Sequence, residues 1–198
     1  MPPHPLMHVR PGTVGSRERY LTPEERTRVH EAVRGAFSEY VFVLEQTGAR
    51  PFSEAAKVTA ADVDFVAGTW TLAKWKNSKK LKGKKRTVYL VEPVLELMRK
   101  LVACYPEGPL FRNRIGQPWT RQALTARFRK LGETLGIAGL SAYAFRTADI
   151  TDALSRGVPV AVVAELCGTS IQTINKHYAK IDKKQDVLRD AARLAVGG

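Results

Sequence analysis

A chain of 198 residues, 44% of them apolar, is long enough to bury a core and too apolar to remain disordered. Its 32 Lys and Arg against 19 Asp and Glu leave a formal charge of +13, which opposes compaction and suits a polyanionic partner. Nucleic acid leads, with ribosomal RNA or an anionic membrane surface as the plainer alternatives. No apolar run reaches the roughly 18 residues of a membrane span, and the N-terminus lacks the apolar core of a secretory signal. Cys104 and Cys167 lie far apart with no CxxC spacing, which argues against a thiolate zinc site and leaves a disulfide open. These features describe a reduced, soluble, cytoplasmic protein with no metal and no cofactor.

Residues 1–20, with Pro2, Pro3, Pro5, Pro11, Gly12 and Gly15, read as a flexible leader. Thr22-Pro23-Glu24-Glu25 is a capping box with proline at the first helical position, and predicts a helix to about residue 36. The apolar run 37–46 is a second buried helix or the continuation of the first. Thr47-Gly48-Ala49-Arg50-Pro51 breaks it, and 53–58 reads as a short helix. Residues 62–66, 69–74 and 86–90 are β-rich, with Gly68 at the first turn and Gly83 in the second connection, which predicts a three-stranded antiparallel meander. Helices follow over 94–104, from Thr120 to about 135, from Ser141 to 156, over 160–166 and over 171–178. A last amphipathic helix is expected over 183–195. The fold class is α+β, mostly helical, with one small three-stranded antiparallel sheet.

The second connection of that meander is strongly basic. Lys74, Lys76, Lys79, Lys80, Lys82, Lys84, Lys85 and Arg86 succeed one another with no acid between them. Such a tip is either a solvated loop or an arm laid along a nucleic acid backbone, where an anion neutralises the mutual repulsion.

Arg50 falls in a helix break, where it either ties the turn to Glu54 or offers its donor fork to a phosphate. Arg146 lies on a helical stripe with Tyr143, Thr147, Ile150, Ala153 and Leu154, which reads as core-facing. A guanidinium there requires an internal carboxylate or an external anion, and Tyr143, three residues earlier, faces the same space. Tyr178 shares a helical face with Ile171 and Ile174, so its spacing alone also suits a core residue.

Taken together, these segments resemble the tyrosine recombinases, the phage-integrase family, over nearly all of residues 20–190. Thr47-Gly48-Ala49-Arg50 with Ser53-Glu54 is similar to the box carrying that family's first arginine. The segment Trp70 to Lys76, with Lys84 to Leu90, is similar to its β-hairpin, and Lys76 best matches the catalytic lysine. Gly108-Pro109-Leu110-Phe111 is similar to the segment before the family's next helix. Tyr143-Ala144-Phe145-Arg146 stands where the family has HxxR, and Leu166-Cys167-Gly168-Thr169-Ser170 where it has LLGHS. The segment Thr173 to Tyr178 resembles the helix bearing the nucleophile.

The resemblance implies a site-specific DNA recombinase or integrase catalytic domain over residues 21–198, acting on double-stranded DNA without metal or cofactor. Tyr178 would attack a phosphodiester to give a 3′-phosphotyrosyl link. Arg50 and Arg146 would hold the non-bridging oxygens, and Lys76 would protonate the leaving 5′ oxygen. Tyr143 and Thr169 stand where the family has histidines; both can donate to phosphate, and neither replaces imidazole as a base near pH 7. The alternative is a catalytically impaired DNA-binding relative, a mobile-element remnant or regulator; a generic basic RNA-binding protein is a third reading. The family's N-terminal core-binding domain has no counterpart in the 20 or so residues before the first helix. A DNA-dependent homo-oligomer through the C-terminal helix is a further expectation.

Overall fold

The structure is a computed structural model that describes residues 19–72 and 85–178. The expected leader up to residue 18, the tip of the basic connection (73–84) and the C-terminal helix (183–195) lie outside the described residues.

Helix α1, Pro23–Ala32, begins as the sequence dictates. Thr22 Oγ1 accepts from the Glu25 amide at 3.2 Å, and Glu25 Oε2 accepts from the Thr22 amide at 3.2 Å. It stops short of the expected residue 36 because Val33 turns extended and Gly35 adopts φ 60°, a left-handed conformation that glycine tolerates. Helix α2, Ala36–Thr47, is therefore a separate element, and it buries Phe37, Tyr40, Val41, Val43 and Leu44.

The segment read as a short helix over 53–58 is only a 3₁₀ turn, Ala55–Lys57. Strands β1 (Val63–Asp64), β2 (Thr69–Leu72) and β3 (Arg86–Tyr89) form the expected antiparallel meander in the order β1-β2-β3, with Trp70 opposite Val63 and Val88. Helices α3 (Glu92–Cys104), α4 (Arg121–Leu135), α5 (Ala142–Ser155), α6 (Val160–Leu166) and α7 (Ile171–Tyr178) complete the described fold. Thr120 caps α4 through its hydroxyl, whereas Ser141 stands at the N-cap of α5 without a side-chain bond. None of the described helices is long and apolar enough to cross a membrane.

Aromatic rings bind α2, α4 and α5 together. Phe37 meets Trp119 at 5.9 Å and Phe128 at 5.1 Å, and Phe128 meets Phe145 at 5.9 Å. A smaller cluster, Val163, Ala164, Cys167 and Ile174, packs with Ile150, Ala153 and Leu154 and seats α6 and α7 on α5. Two apolar clusters thus meet at α5, and the polar groups between them form the site.

The α5 stripe differs from its expectation. Its most buried residues are Ala142, Ala144, Phe145, Arg146, Ala148 and Thr151, while Tyr143 lies on the surface and Ile150 faces the smaller cluster.

Candidate active site

Two glycine stops shape the site. Helix α2 ends at Gly48 with φ 55°, and a Cβ there would lie 2.1 Å from Asp149 Oδ2. Only glycine permits the turn and the close approach of α5. Helix α6 ends the same way. The Gly168 amide donates to Glu165 O at 2.9 Å and the Thr169 amide to Ala164 O at 2.8 Å, the paired bonds of a left-handed helix stop with Gly168 at φ 59°.

Three arginines converge on this second stop. Arg50, 7% exposed, donates from Nη2 to Gly168 O. Arg146, 8% exposed, donates from Nη2 to Cys167 O at 2.5 Å and from Nη1 to Gly48 O at 2.5 Å. Arg86, 4% exposed, donates to Leu166 O at 2.5 Å and to Glu165 O at 3.2 Å. The last carbonyls of a helix lack intrahelical partners and sit at the negative end of its dipole, so cations suit them.

One carboxylate lies among these cations. Glu54, fully buried, accepts from Arg50 Nη1 at 2.5 Å and from the Arg50 amide at 2.9 Å, and lies 3.8 Å from Arg86 Nε. Of the two roles open to Arg50, the tie to Glu54 is made, and it leaves a second amino group for Gly168 O. Asp149 lies beside the Cys167 thiol at 3.6 Å, and desolvation raises its pKa. Burial also lowers the guanidinium pKa values of Arg146 and Arg86 and pushes the Cys167 thiol up to about 12. Three guanidiniums outnumber the two carboxylates, Glu54 and Asp149, among them, a positive surplus that an anion would neutralise. Among the described residues Arg146 bonds to no carboxylate; main-chain carbonyls take its two amino groups, and an external anion is the partner left open to it.

The remaining expected residues divide into three groups. Thr169 is half-buried in the α6–α7 turn, directly after the carbonyl that Arg50 holds. Tyr143 does not share a space with Arg146: it is 44% exposed, and its ring lies edge-on to Phe52 at 5.6 Å. Arg121 covers the same Phe52 ring at 5.1 Å. Tyr178 ends α7, but its side chain is not among those described, and Lys76 lies outside the described residues.

Arg86 is buried, although the sequence groups it with the lysines of the basic connection. Strand alternation carries the missed signal, because Arg86 is in phase with buried Val88 on β3. Among the described residues no group of three or more His, Cys, Asp or Glu could hold a metal ion.

The chain belongs to the phage integrase family, whose sequence profile matches residues 21–185. Among solved structures, it resembles the Tn1549 transposon integrase in complex with a circular intermediate DNA, with a TM-score of 0.69 at 16% identity over 89% of this chain and 65% of that one. The XerA recombinase gives a TM-score of 0.69 at 20% identity, over 89% of this chain and 64% of that one. XerH bound to its difH substrate before cleavage gives 0.62 at 20% identity, over 87% and 53%. The chain thus spans less than two thirds of each of these structures, and at such identity the likeness shows the fold. No curated protein matches it.

Proposed function

We propose that residues 21–198 are the catalytic domain of a site-specific DNA recombinase that cleaves and rejoins double-stranded DNA through a 3′-phosphotyrosyl intermediate. The observation that carries this reading is the convergence of Arg50 and Arg146 on adjacent carbonyl oxygens, Gly168 and Cys167, in the turn that leads into the helix ending at Tyr178. Family membership, the net charge of +13, the DNA named with the Tn1549 integrase and the difH substrate named with the XerH site-specific recombinase support it.

In this mechanism the Tyr178 oxygen forms a bond to phosphorus as the bond from phosphorus to the 5′ oxygen breaks. Two arginines bound to neighbouring carbonyls retain N–H groups for the non-bridging oxygens, whose charge grows in the transition state. Tyr178 loses its phenolic proton to water before it attacks; a phenol has an ordinary pKa near 10, so guanidiniums brought beside it on the DNA would favour that ionised form. Lys76 gives its proton to the departing 5′ oxygen, and the phosphoester energy is kept in the protein–DNA bond, so no cofactor is consumed. Exposed Tyr143 and half-buried Thr169 are phosphate donors at most. The domain acts in the cytoplasm, and a C-terminal helix docked on a second copy would assemble it on DNA.

A DNA-binding relative with impaired chemistry is the second reading, favoured by the lack of imidazole at Tyr143 and Thr169. One experiment separates the two. The protein is incubated with nicked duplexes of randomised sequence, whose cleavage releases a short strand and traps the intermediate. We expect a covalent adduct that resists denaturation and disappears in Tyr178→Phe; binding without any adduct would support the impaired relative.

A further inference from the structure

Arg86 is buried like the other two converging arginines and lies closest to the α6 carbonyls before the stop. Its guanidinium takes Thr87 O from its own strand and Glu165 O and Leu166 O from α6. Its Nε has no hydrogen-bond partner and lies 3.8 Å from Glu54 Oε2. Its shaft covers Gly168 so closely that a Cβ there would come within 2.4 Å of Nε and 2.8 Å of Cδ.

A buried arginine bound mainly to carbonyls is costly unless each donor is used. Here the contacts join three elements. Arg86 belongs to β3, its carbonyl partners to α6, and the carboxylate beside it to the segment that aims Arg50. Among the described residues, no other side-chain hydrogen bond ties β3 to the α6 stop.

We propose that Arg86 is a positioning residue: it fixes the Gly168 turn and the Glu54 carboxylate relative to each other, and thereby sets where Arg50 and Arg146 present their remaining donors. The proposal rests on the recombinase reading for its consequence in catalysis, but its structural core does not. Glu54 is shared between Arg50 and Arg86, so removing Arg86 leaves the carboxylate free to draw Arg50 away from Gly168 O. Two carbonyls at the end of α6 then lose their donor, and the turn loosens. A misplacement of reacting groups by about 1 Å costs on the order of 100-fold in rate.

Arg86→Gln and Arg86→Lys in the full chain test this in two arms. The first is hydrogen–deuterium exchange of the segment containing Gly168 and Thr169. Exchange there should rise about tenfold or more in Arg86→Gln and less in Arg86→Lys, with α3 and α4 unchanged. Unchanged exchange at Gly168 and Thr169 would overturn the proposal whether or not the protein cleaves DNA. A uniform rise throughout the molecule would also overturn it, by showing a general loss of stability.

The second arm uses a duplex recovered from the trapping experiment. Single-turnover adduct formation should fall roughly 10- to 100-fold in Arg86→Gln, with partial rescue in Arg86→Lys and duplex affinity within about twofold of wild type. A loss of affinity matching the loss of rate would instead make Arg86 a direct phosphate ligand and overturn the positioning role. Absence of any wild-type adduct would refute the recombinase reading, and the exchange arm would still decide the role of Arg86.

Discussion

Arg50 and Arg146 come from distant parts of the chain and donate to neighbouring oxygens of one turn, Gly168 O and Cys167 O. The spacing of the two guanidiniums is therefore set by a main-chain unit, not only by the loop and the helix that carry them. Whatever holds that turn in shape also holds the pair, which makes the turn's glycine and its buried carboxylate the first places to perturb.

Gly168→Ala should be far more damaging than the same change at another left-handed helix stop. Gly136, at φ 64°, has nothing within 4 Å of the place a Cβ would take, so its alanine variant bears only the conformational cost of roughly 1–2 kcal/mol. At Gly168 the new Cβ also meets the shaft of Arg86, which three carbonyls hold in place, and overpacking of this kind adds about 1–3 kcal/mol. Urea unfolding of the two variants measures the difference directly, and equal losses would show that Arg86 yields freely.

Glu54→Gln keeps the shape of the side chain and removes its charge. The buried Arg50 then lacks its anionic partner, and breaking a buried pair in this way costs about 3–5 kcal/mol. The denaturation midpoint should fall accordingly. Added inorganic phosphate should recover part of the loss in the variant, because an anion can then enter among the three guanidiniums; no difference in phosphate response between variant and wild type would argue against an anion site.

The two thiols should behave in opposite ways. Cys104 is exposed, whereas Cys167 is buried with its thiol pushed up to about 12. Alkylation of the native protein at pH 8 should label Cys104 and spare Cys167, as peptide mass spectrometry will read. Because the folded pKa lies above the ordinary value of 9.0, the unfolded chain loses this proton first as pH rises. The thiol's contribution is present below pH 9 and is lost between pH 9 and 12, by up to about 1.4 kcal/mol per pH unit. Cys167→Ala should flatten that decline.

Much of this architecture is legible in the sequence, for physical reasons that differ by element. Thr22, Pro23 and Glu25 mark the start of α1 because capping is local chemistry, and Gly48 and Gly168 mark stops because few other residues take a left-handed conformation. The meander follows from its β-rich runs. The end of α1 is less legible, because a single glycine such as Gly35 is tolerated inside a helix as well as at a break.

At the site, Arg50 and Arg146 stand out as cations in apolar surroundings, yet their partners do not. Main-chain carbonyls at a helix end carry no residue signature, so neither the Cys167 nor the Gly168 contact is written in a motif. Tyr143 and Arg146, three positions apart, share a face by spacing alone. The difference in their angle around α5 is enough to send one ring to the surface and one guanidinium inside. Arg86 is hidden by its lysine neighbours, whose charge run outweighs the strand alternation that buries it.

Binding to duplex DNA should be strongly salt-dependent. Each phosphate neutralised contributes a slope of about −0.9 in log affinity against log salt. Fluorescence anisotropy with a labelled duplex, from about 50 to 200 mM salt, should show several such contacts. Equal affinity for RNA of the same length, with no effect of Arg146→Ala beyond one contact, would favour a general RNA-binding protein.

The central claim is that Tyr178 becomes covalently joined to DNA, and the most direct measurement is the site of attachment. The trapped adduct is digested with protease and nuclease, and the peptide carrying the residual nucleotide is sequenced by mass spectrometry. We expect a 3′-phosphonucleotide on Tyr178, absent when Arg50 or Arg146 is replaced by alanine. A nucleotide on any other residue, or bound DNA with no adduct at all, would contradict it.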